Sequence, residues 1–437
     1  MYISLLEDFL KTRISGMIKS GFISQEAEEI PLIVTKPREK IHGDYSTNYA
    51  LISGKKLGIK SRNLAEDISR RLEPLPDYIG EVRVEGPGFI NFALSRSGLF
   101  DMVKHIIEAG EDYGKCNEGE GKKFQVEFVS ANPVGPLHVG HGRWAALGDS
   151  LANLLTAAGY DTTREFYLND RGTQMEIFAK SIEARYMEEY DPGYPFPEDG
   201  YQGKYITELA NILREQFGDS LRSRSYEERL EILGEAGYRY MRERIERTLE
   251  NMGVRFDTWR SERDIYREGW VERAEEALKS AGVTYEKESA LWFDGERFGD
   301  NRPSVLIRST GEPTYFMVDI AYHLEKFHRG FDRVLNLWGS DHGGHVKRLH
   351  AALSAVGIDP ERLEILLGQM VNLKRAGEPV RMSKRTGEMV TLSELLEEVG
   401  GDAARFIFLT KSANSALDFD IAVAVAKNLD NPVYYVQ

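Results

Sequence analysis

Two histidines, His138 and His141, bracket Val139 and Gly140 in the stretch ANPVGPLHVGHGR at residues 131–143. A strand-like run precedes them and an amphipathic run follows. At a helix start the first backbone N–H groups have no intrahelical partner, and the dipole favours anions. Imidazoles three residues apart share roughly one face of the first turn, so both can donate to an oxyanion. Gly140 has no Cβ to keep a flat ring off the backbone. The pattern suits binding of nucleotide phosphates and stabilising charge on a phosphorus under attack. Two other readings compete. A metal pair would lack a third ligand nearby and does not follow the H-E-x-x-H arrangement; histidines that merely cap or pack the helix need no ligand at all. Far downstream, RMSKRTGE at 381–388 sets Arg381, Lys384 and Arg385 around Met382 and Ser383, with Gly387 supplying freedom. Such a basic loop can grip a polyphosphate as charge moves in a transition state, or be an ordinary solvated loop.

The elements that must position these residues follow from periodicity. KFQVEFVS reads as a strand ending near Ser130, and a loop bracketed by Pro133 and Pro136 follows it. Leu147, Leu151, Leu154, Leu155 and Ala158 then recur at helical spacing, which predicts a helix with those residues on its buried face. Gly159 ends it, and TTREFYL is the next strand. Strand, tight loop, helix, strand opens a doubly wound nucleotide-binding fold, in which ligands sit at the carboxyl ends of strands. RVLNLWGSDHGGHVKRLHAAL at 333–353 repeats the pattern. Ahead of this region, residues 1–112 read as a small α/β unit: an amphipathic N-terminal helix, a helix in SRNLAEDISRRL with Asn63 and Glu66 as a capping box, and two strands around Gly86-Pro87-Gly88. Residues 113–122 are a polar, glycine-rich linker, 190–203 a proline-rich loop, 226–252 a long charged helix, and 393–411 helical.

Composition excludes several classes. No run of about 18 apolar residues occurs, so a membrane span is not expected, and the N-terminus lacks a signal-peptide pattern. A single cysteine, Cys116, leaves no internal disulfide or cysteine-rich zinc site, which favours the cytoplasm. The net charge of −14 argues against non-specific nucleic-acid binding. Residues 36–71 nevertheless carry nine basic groups against four acids. That stretch is either a solvated surface or a local face for phosphate backbones.

Taken together, LHVGH and MSKRTG resemble the paired HIGH and KMSKS elements of class I aminoacyl-tRNA synthetases, and GSDHGGH resembles their third element, G-x-D-x-x-x-H. The resemblance implies a Rossmann-type doubly wound parallel-sheet catalytic domain that binds ATP through Pro136, His138, Gly140, His141, Gly339, Asp341, His345, Met382, Ser383 and Lys384, with His138, His141 and Lys384 catalytic. Asp341 suits a ribose hydroxyl, or would cap the next helix. EFVSANPVGPLHVGH, YLNDRGTQ, LWFD, TYFMVDIAYHLEKF, GSDHGGHVKRL, MSKRTG and GGDAARF extend the resemblance over nearly the whole chain, to arginyl-tRNA synthetases. Such an enzyme forms arginyl-adenylate from arginine and ATP, with Mg2+, and then charges tRNA(Arg); the family implies that tRNA is needed for the first step also.

A guanidinium needs carboxylates in a fork geometry, and the family positions for arginine fall on Glu127, Asn132, Tyr315 and Asp319. Other class I specificities fit less well: zinc-binding cysteines are missing, and so is a large inserted editing domain. Arg381 stands where the family's loop motif often has lysine; Lys384 is kept, and Gly135 occupies the place of a lysine some members carry instead. The resemblance divides the chain into a small N-terminal α/β domain that binds the tRNA corner (1–112), a linker (113–122), the catalytic domain (123–392), and a helical region opening an anticodon-binding domain (393–437) that the chain is expected to lack in part, with weaker tRNA binding. A monomer without membrane contact is expected. Alternatives are a catalytically idle tRNA-binding paralogue and a related class I nucleotidyl transferase.

Overall fold

The computed structural model describes residues 2–300, 302–380 and 390–436. The chain divides into two compact units, Met1–Gly114 and Lys115–Gln437. In the first, α1 (Tyr2–Lys19), β1 (Val34–Thr35), β2 (Tyr45–Thr47), α2 (Tyr49–Leu57), α3 (Ser61–Arg70), β3 (Ile79–Glu85), β4 (Phe89–Leu94) and α4 (Arg96–Ala109) follow in order. The strands form an antiparallel sheet in the order β1-β2-β4-β3. Leu6, Leu10, Ile14 and Met17 of α1 supply its core together with Leu64 and Ile68 of α3 and Phe92 of β4. The predicted capping box is not formed: α3 begins two residues before Asn63, behind Lys60, which makes no side-chain cap.

The second unit holds β5 (Lys123–Glu127), α5 (Val139–Ala157), β6 (Asp161–Leu168), α6 (Thr173–Met187), α7 (Lys204–Phe217), α8 (Tyr226–Asn251), β7 (Thr258–Ser261), α9 (Glu262–Arg267), α10 (Trp270–Ser280), β8 (Thr284–Lys287), β9 (Ala290–Phe293), β10 (Ser304–Ile307), α11 (Tyr315–His328), β11 (Arg333–Gly339), α12 (Gly343–Ala355), β12 (Leu363–Gly368), β13 (Val371–Arg375), β14 (Glu378–Pro379), α13 (Leu392–Val399), α14 (Gly401–Phe408) and β15 (Leu417–Asp420). Five parallel strands form its main sheet in the order β12-β11-β5-β6-β7. The chain winds outward from β5 through β6 to β7, then returns to the other side of β5 with β11. The reversal between β5 and β11 opens a crevice at their carboxyl ends, where Glu127 and Gly339 lie, and such crevices are where ligands bind in open α/β sheets. Among the described residues no helix is long and apolar enough to cross a membrane.

The sheet's two faces differ. Phe124, Val126, Phe166, Leu335 and Leu337 join one core with α5. Alternate residues point the other way, and there the central strands carry buried polar side chains: Gln125, Glu127, Glu165 and Asn336. α11 covers them with a polar seam of its own, described below.

Two expectations are corrected here. The leucines of α5 are only in part its buried face: Leu147, Leu151 and Leu155 are part-buried against the core and Leu154 is 67% exposed, whereas Gly142, Ala145, Ala146, Gly148 and Ala152 are buried. The helix crosses the sheet so closely that only small residues fit; a Cβ on Gly148 would stand 2.1 Å from Cγ of Phe128. Residues 393–437 are not wholly helical either. β15 pairs in parallel with β13, and Leu417 and Phe419 join the same core as α5.

Candidate active site

The link from β5 to α5 is tightly tied. Val129 and Ser130 both adopt positive φ, 70° and 40°, a region that costs free energy in non-glycine residues. This turns the Ser130 hydroxyl back to donate to Glu127 Oε1 at 2.9 Å while it accepts from the Tyr167 N–H at 3.2 Å. His138 is the N-cap of α5. Its backbone N–H donates to Nδ1 of His141 at 3.1 Å, and the two rings stack with centroids 3.7 Å apart. Because Nδ1 of His141 accepts, its ring proton resides on Nε2. The pair therefore shares one face, as its spacing predicts, and His141 also serves the helix start. The ring that approaches Gly140 belongs to the protein: a Cβ there would meet Cε1 of His138 at 2.9 Å.

Arg381, Met382, Ser383 and Lys384 lie outside the described residues. Their described flanks are fixed. Before them, β14 pairs with β13, and the Val380 N–H donates to the Leu373 carbonyl. After them, Thr391 bridges to His138 and the Leu392 N–H donates to the Leu137 carbonyl at 2.7 Å. Pro136 is part-buried directly ahead of this junction. The third motif starts where β11 ends, at Gly339. Asp341 is exposed and 3.6 Å from His342; it does not cap α12, whose N-cap is His342. His345 points elsewhere, onto Asp319. Arg348 Nε donates to its Nδ1, so Nε2 carries the proton and donates to Asp319 Oδ2, each at 2.5 Å.

Acids converge at the carboxyl ends of β5 and β6. The Tyr167 hydroxyl feels four carboxylates, Glu262, Asp319, Glu127 and Asp170, and burial together with their charge pushes its pKa far up. Glu262 is itself pushed up to about 7, first by burial and then by Asp170, with Asp319 adding and Arg171 opposing. Glu127 Oε2 accepts from Lys326 at 2.5 Å. One strand over, burial would raise Glu165, but the bidentate Arg329 guanidinium outweighs it and holds the carboxyl low. Asn132 donates to Gln174 Oε1 at 2.5 Å, and Tyr315, at the first turn of α11, is 70% exposed. Glu127 and Asp319 thus belong to one acidic cluster about Tyr167, Asn132 and Tyr315 stand at more exposed positions, and Asp319 is joined to a residue expected on the nucleotide side, His345. Among the described residues no group of three or more His, Cys, Asp or Glu side chains could hold a metal ion.

Two family models match the chain. Residues 102–429 match the family model for the class I (R) tRNA synthetase catalytic domain, and residues 8–94 match that for the arginyl-tRNA synthetase N-terminal domain. The chain belongs to the arginyl-tRNA synthetase family. It is 46% identical to the arginine–tRNA ligase of Carboxydothermus hydrogenoformans over 98% of its own length and 78% of that protein. The corresponding ligase of Heliobacterium modesticaldum is 48% identical over 93% of this chain and 72% of its own. In fold, the chain resembles the Thermus thermophilus arginyl-tRNA synthetase structure, with a TM-score of 0.73 at 23% identity over 99% of this chain and 80% of that one.

Several residues of this synthetase site escaped sequence reasoning. Arg143, two residues after His141, is 1% exposed, and its two Nη groups donate to the carbonyls of Gln369 and Ser412, each at 2.9 Å. It fastens the start of α5 to the segments that lead into β13 and β15. Tyr167 opens the block YLNDRGTQ but was given no role there, Glu262 lies in none of the quoted blocks, and only their convergence with Asp319 singles them out. Lys326 sat in plain view seven residues after Asp319, the spacing of two helical turns.

Proposed function

We propose that this chain is an arginine–tRNA ligase that first joins arginine to ATP and then charges tRNA(Arg). The observation carrying the specificity is the gathering of Glu127, Asp319, Glu262 and Asp170 around Tyr167, in the switch-point crevice beside the histidine-bearing helix start. A cluster of partly buried acids favours a cationic side chain and rejects neutral ones.

In the first step the arginine carboxylate attacks the α-phosphate in line and pyrophosphate leaves. His138 and His141 donate to the phosphoryl oxygens as negative charge builds, and Lys384 holds the departing polyphosphate. Glu127 and Asp319 take the guanidinium and α-amino group, with Asn132 and Tyr315 closing the pocket; Gly339, Asp341 and His345 serve the adenosine side. In the second step a hydroxyl of the terminal ribose attacks the arginyl carbonyl and AMP departs. A magnesium ion would enter on the triphosphate, held by phosphate oxygens, and supply charge neutralisation. The same proposal makes the protein a cytoplasmic monomer, and its exposed lone thiol Cys116 suits a reducing compartment.

The test is calorimetric binding of non-hydrolysable aminoacyl-adenylate analogues carrying arginine, lysine, glutamate or cysteine. The arginyl analogue alone should bind tightly; preference for another would overturn the pocket assignment.

A further inference from the structure

The α11 seam continues below the pocket. Lys326 is fully buried and its ammonium bridges Glu127 Oε2 at 2.5 Å and Asn336 Oδ1 at 2.9 Å. Asn336 Nδ2 donates to His323 Nε2 at 2.7 Å, and His323 Nδ1 donates to the Asp319 carbonyl at 2.7 Å. That relay requires a neutral imidazole, and burial followed by the nearby Lys326 charge drives the His323 pKa well down. One unbroken chain of hydrogen bonds therefore runs from Glu127 through Lys326 to the backbone of Asp319, joining the acids assigned to the substrate.

Stability does not call for such a pair. Burying two charges costs desolvation that their attraction roughly offsets, so an apolar substitute for both would serve the fold as well. The pair sits instead where a carboxylate must be held in place among other acids. Tyr322 and Asp319 of α11, Tyr167 and Glu165 of β6, Glu262 of α9 and Asp170 all bear on the same site. Arg329 is engaged by Glu165 and Glu325, and Lys326 is the cation bonded to Glu127.

We propose that Lys326 is a positioning residue for arginine: its buried ammonium aims the Glu127 carboxylate and balances its charge against the neighbouring acids, so that the site demands a cationic side chain. This rests on the arginine-activating reading given above. Without the ammonium, Glu127 Oε2 loses the donor that fixes it, and the carboxylate no longer presents itself in the one orientation a guanidinium fork requires.

The experiment is calorimetric binding of the non-hydrolysable arginyl-adenylate analogue and its neutral citrulline counterpart at about pH 8, above the titration of Glu262. The unaltered protein should prefer arginine. Lys326→Met should weaken the arginyl analogue about 10- to 100-fold, the worth of a hydrogen bond to a charged group, and leave the citrulline analogue nearly unchanged. A purely structural lysine would weaken both alike. Lys326→Met that keeps the parent's preference, whether both analogues weaken equally or neither does, overturns this inference and leaves the functional reading standing. A parent protein that ignores the arginyl analogue overturns both. If Lys326→Met fails to fold by circular dichroism, the double variant E127Q/K326M, which removes both charges, should fold and lose the preference; a retained preference overturns the inference.

Discussion

A methyl group added at Gly140 would occupy the space of the His138 imidazole, whose Cε1 lies 2.9 Å from that position. Alanine suits a helix better than glycine, so Gly140→Ala should leave thermal stability intact. It should lower ATP–pyrophosphate exchange by about 10-fold or more, because a displaced donor no longer meets the transition state; unchanged exchange would remove His138 from the chemistry. Glu262 gives a pH signature. Its folded pKa is raised from 4.5 to about 7, so the stability of the protonated form is present below the unfolded value and lost as pH climbs through about 7. Chemical denaturation of the ligand-free protein should show declining stability across that window, and Glu262→Gln should flatten it. The carboxylate that ionises there adds a negative charge to the pocket, so arginine should bind more tightly at about pH 8 than at about pH 6, a difference Glu262→Gln abolishes. At this scale the sequence singled out His138, His141, Glu127 and Asp319, which sit in compact motifs. Lys326 lies inside the quoted block TYFMVDIAYHLEKF yet drew no role, because its acceptor Glu127 arrives from 199 residues away.

α5 carries the next lesson. Its strand-loop-helix setting was readable from β5, the proline-bracketed loop and Gly159, yet its buried face was readable only in part. Leucines at helical spacing announce a helix, but the crossing distance over β5 decides which side can touch the sheet, and Phe128 already fills that gap. Gly148→Ala should therefore destabilise the protein by about 1–3 kcal/mol through overpacking, measurable by urea denaturation; a neutral result would mean that the helix can lift off the strand at little cost. β15 escaped notice for a related reason. In LDFD, Leu417 and Phe419 are buried and the aspartates less so, too short a signal to outweigh helical neighbours, and what makes the four residues a strand is the parallel edge of β13.

Each unit has its own core, and every described residue assigned to arginine or ATP belongs to the second. Residues 115–437 produced alone should fold and bind the arginyl-adenylate analogue with unchanged affinity, while salt-dependent tRNA binding falls. Loss of analogue binding would show that the first unit shapes the pocket. The α/β architecture was visible in the sequence because its repeats of strand, glycine loop and helix are local; the strand order was not, since the return of β11 beside β5 depends on contacts across some two hundred residues. That separation has a bearing on how the molecule comes into being. Arg143 is satisfied by Ser412, 269 residues further along. At a synthesis rate of roughly 5–20 residues per second, the ribosome spends roughly 13–54 s between making the two. Throughout that interval the nascent chain holds a guanidinium destined for the interior in contact with water, and the first histidine motif waits, unlatched, for its far partner to be translated.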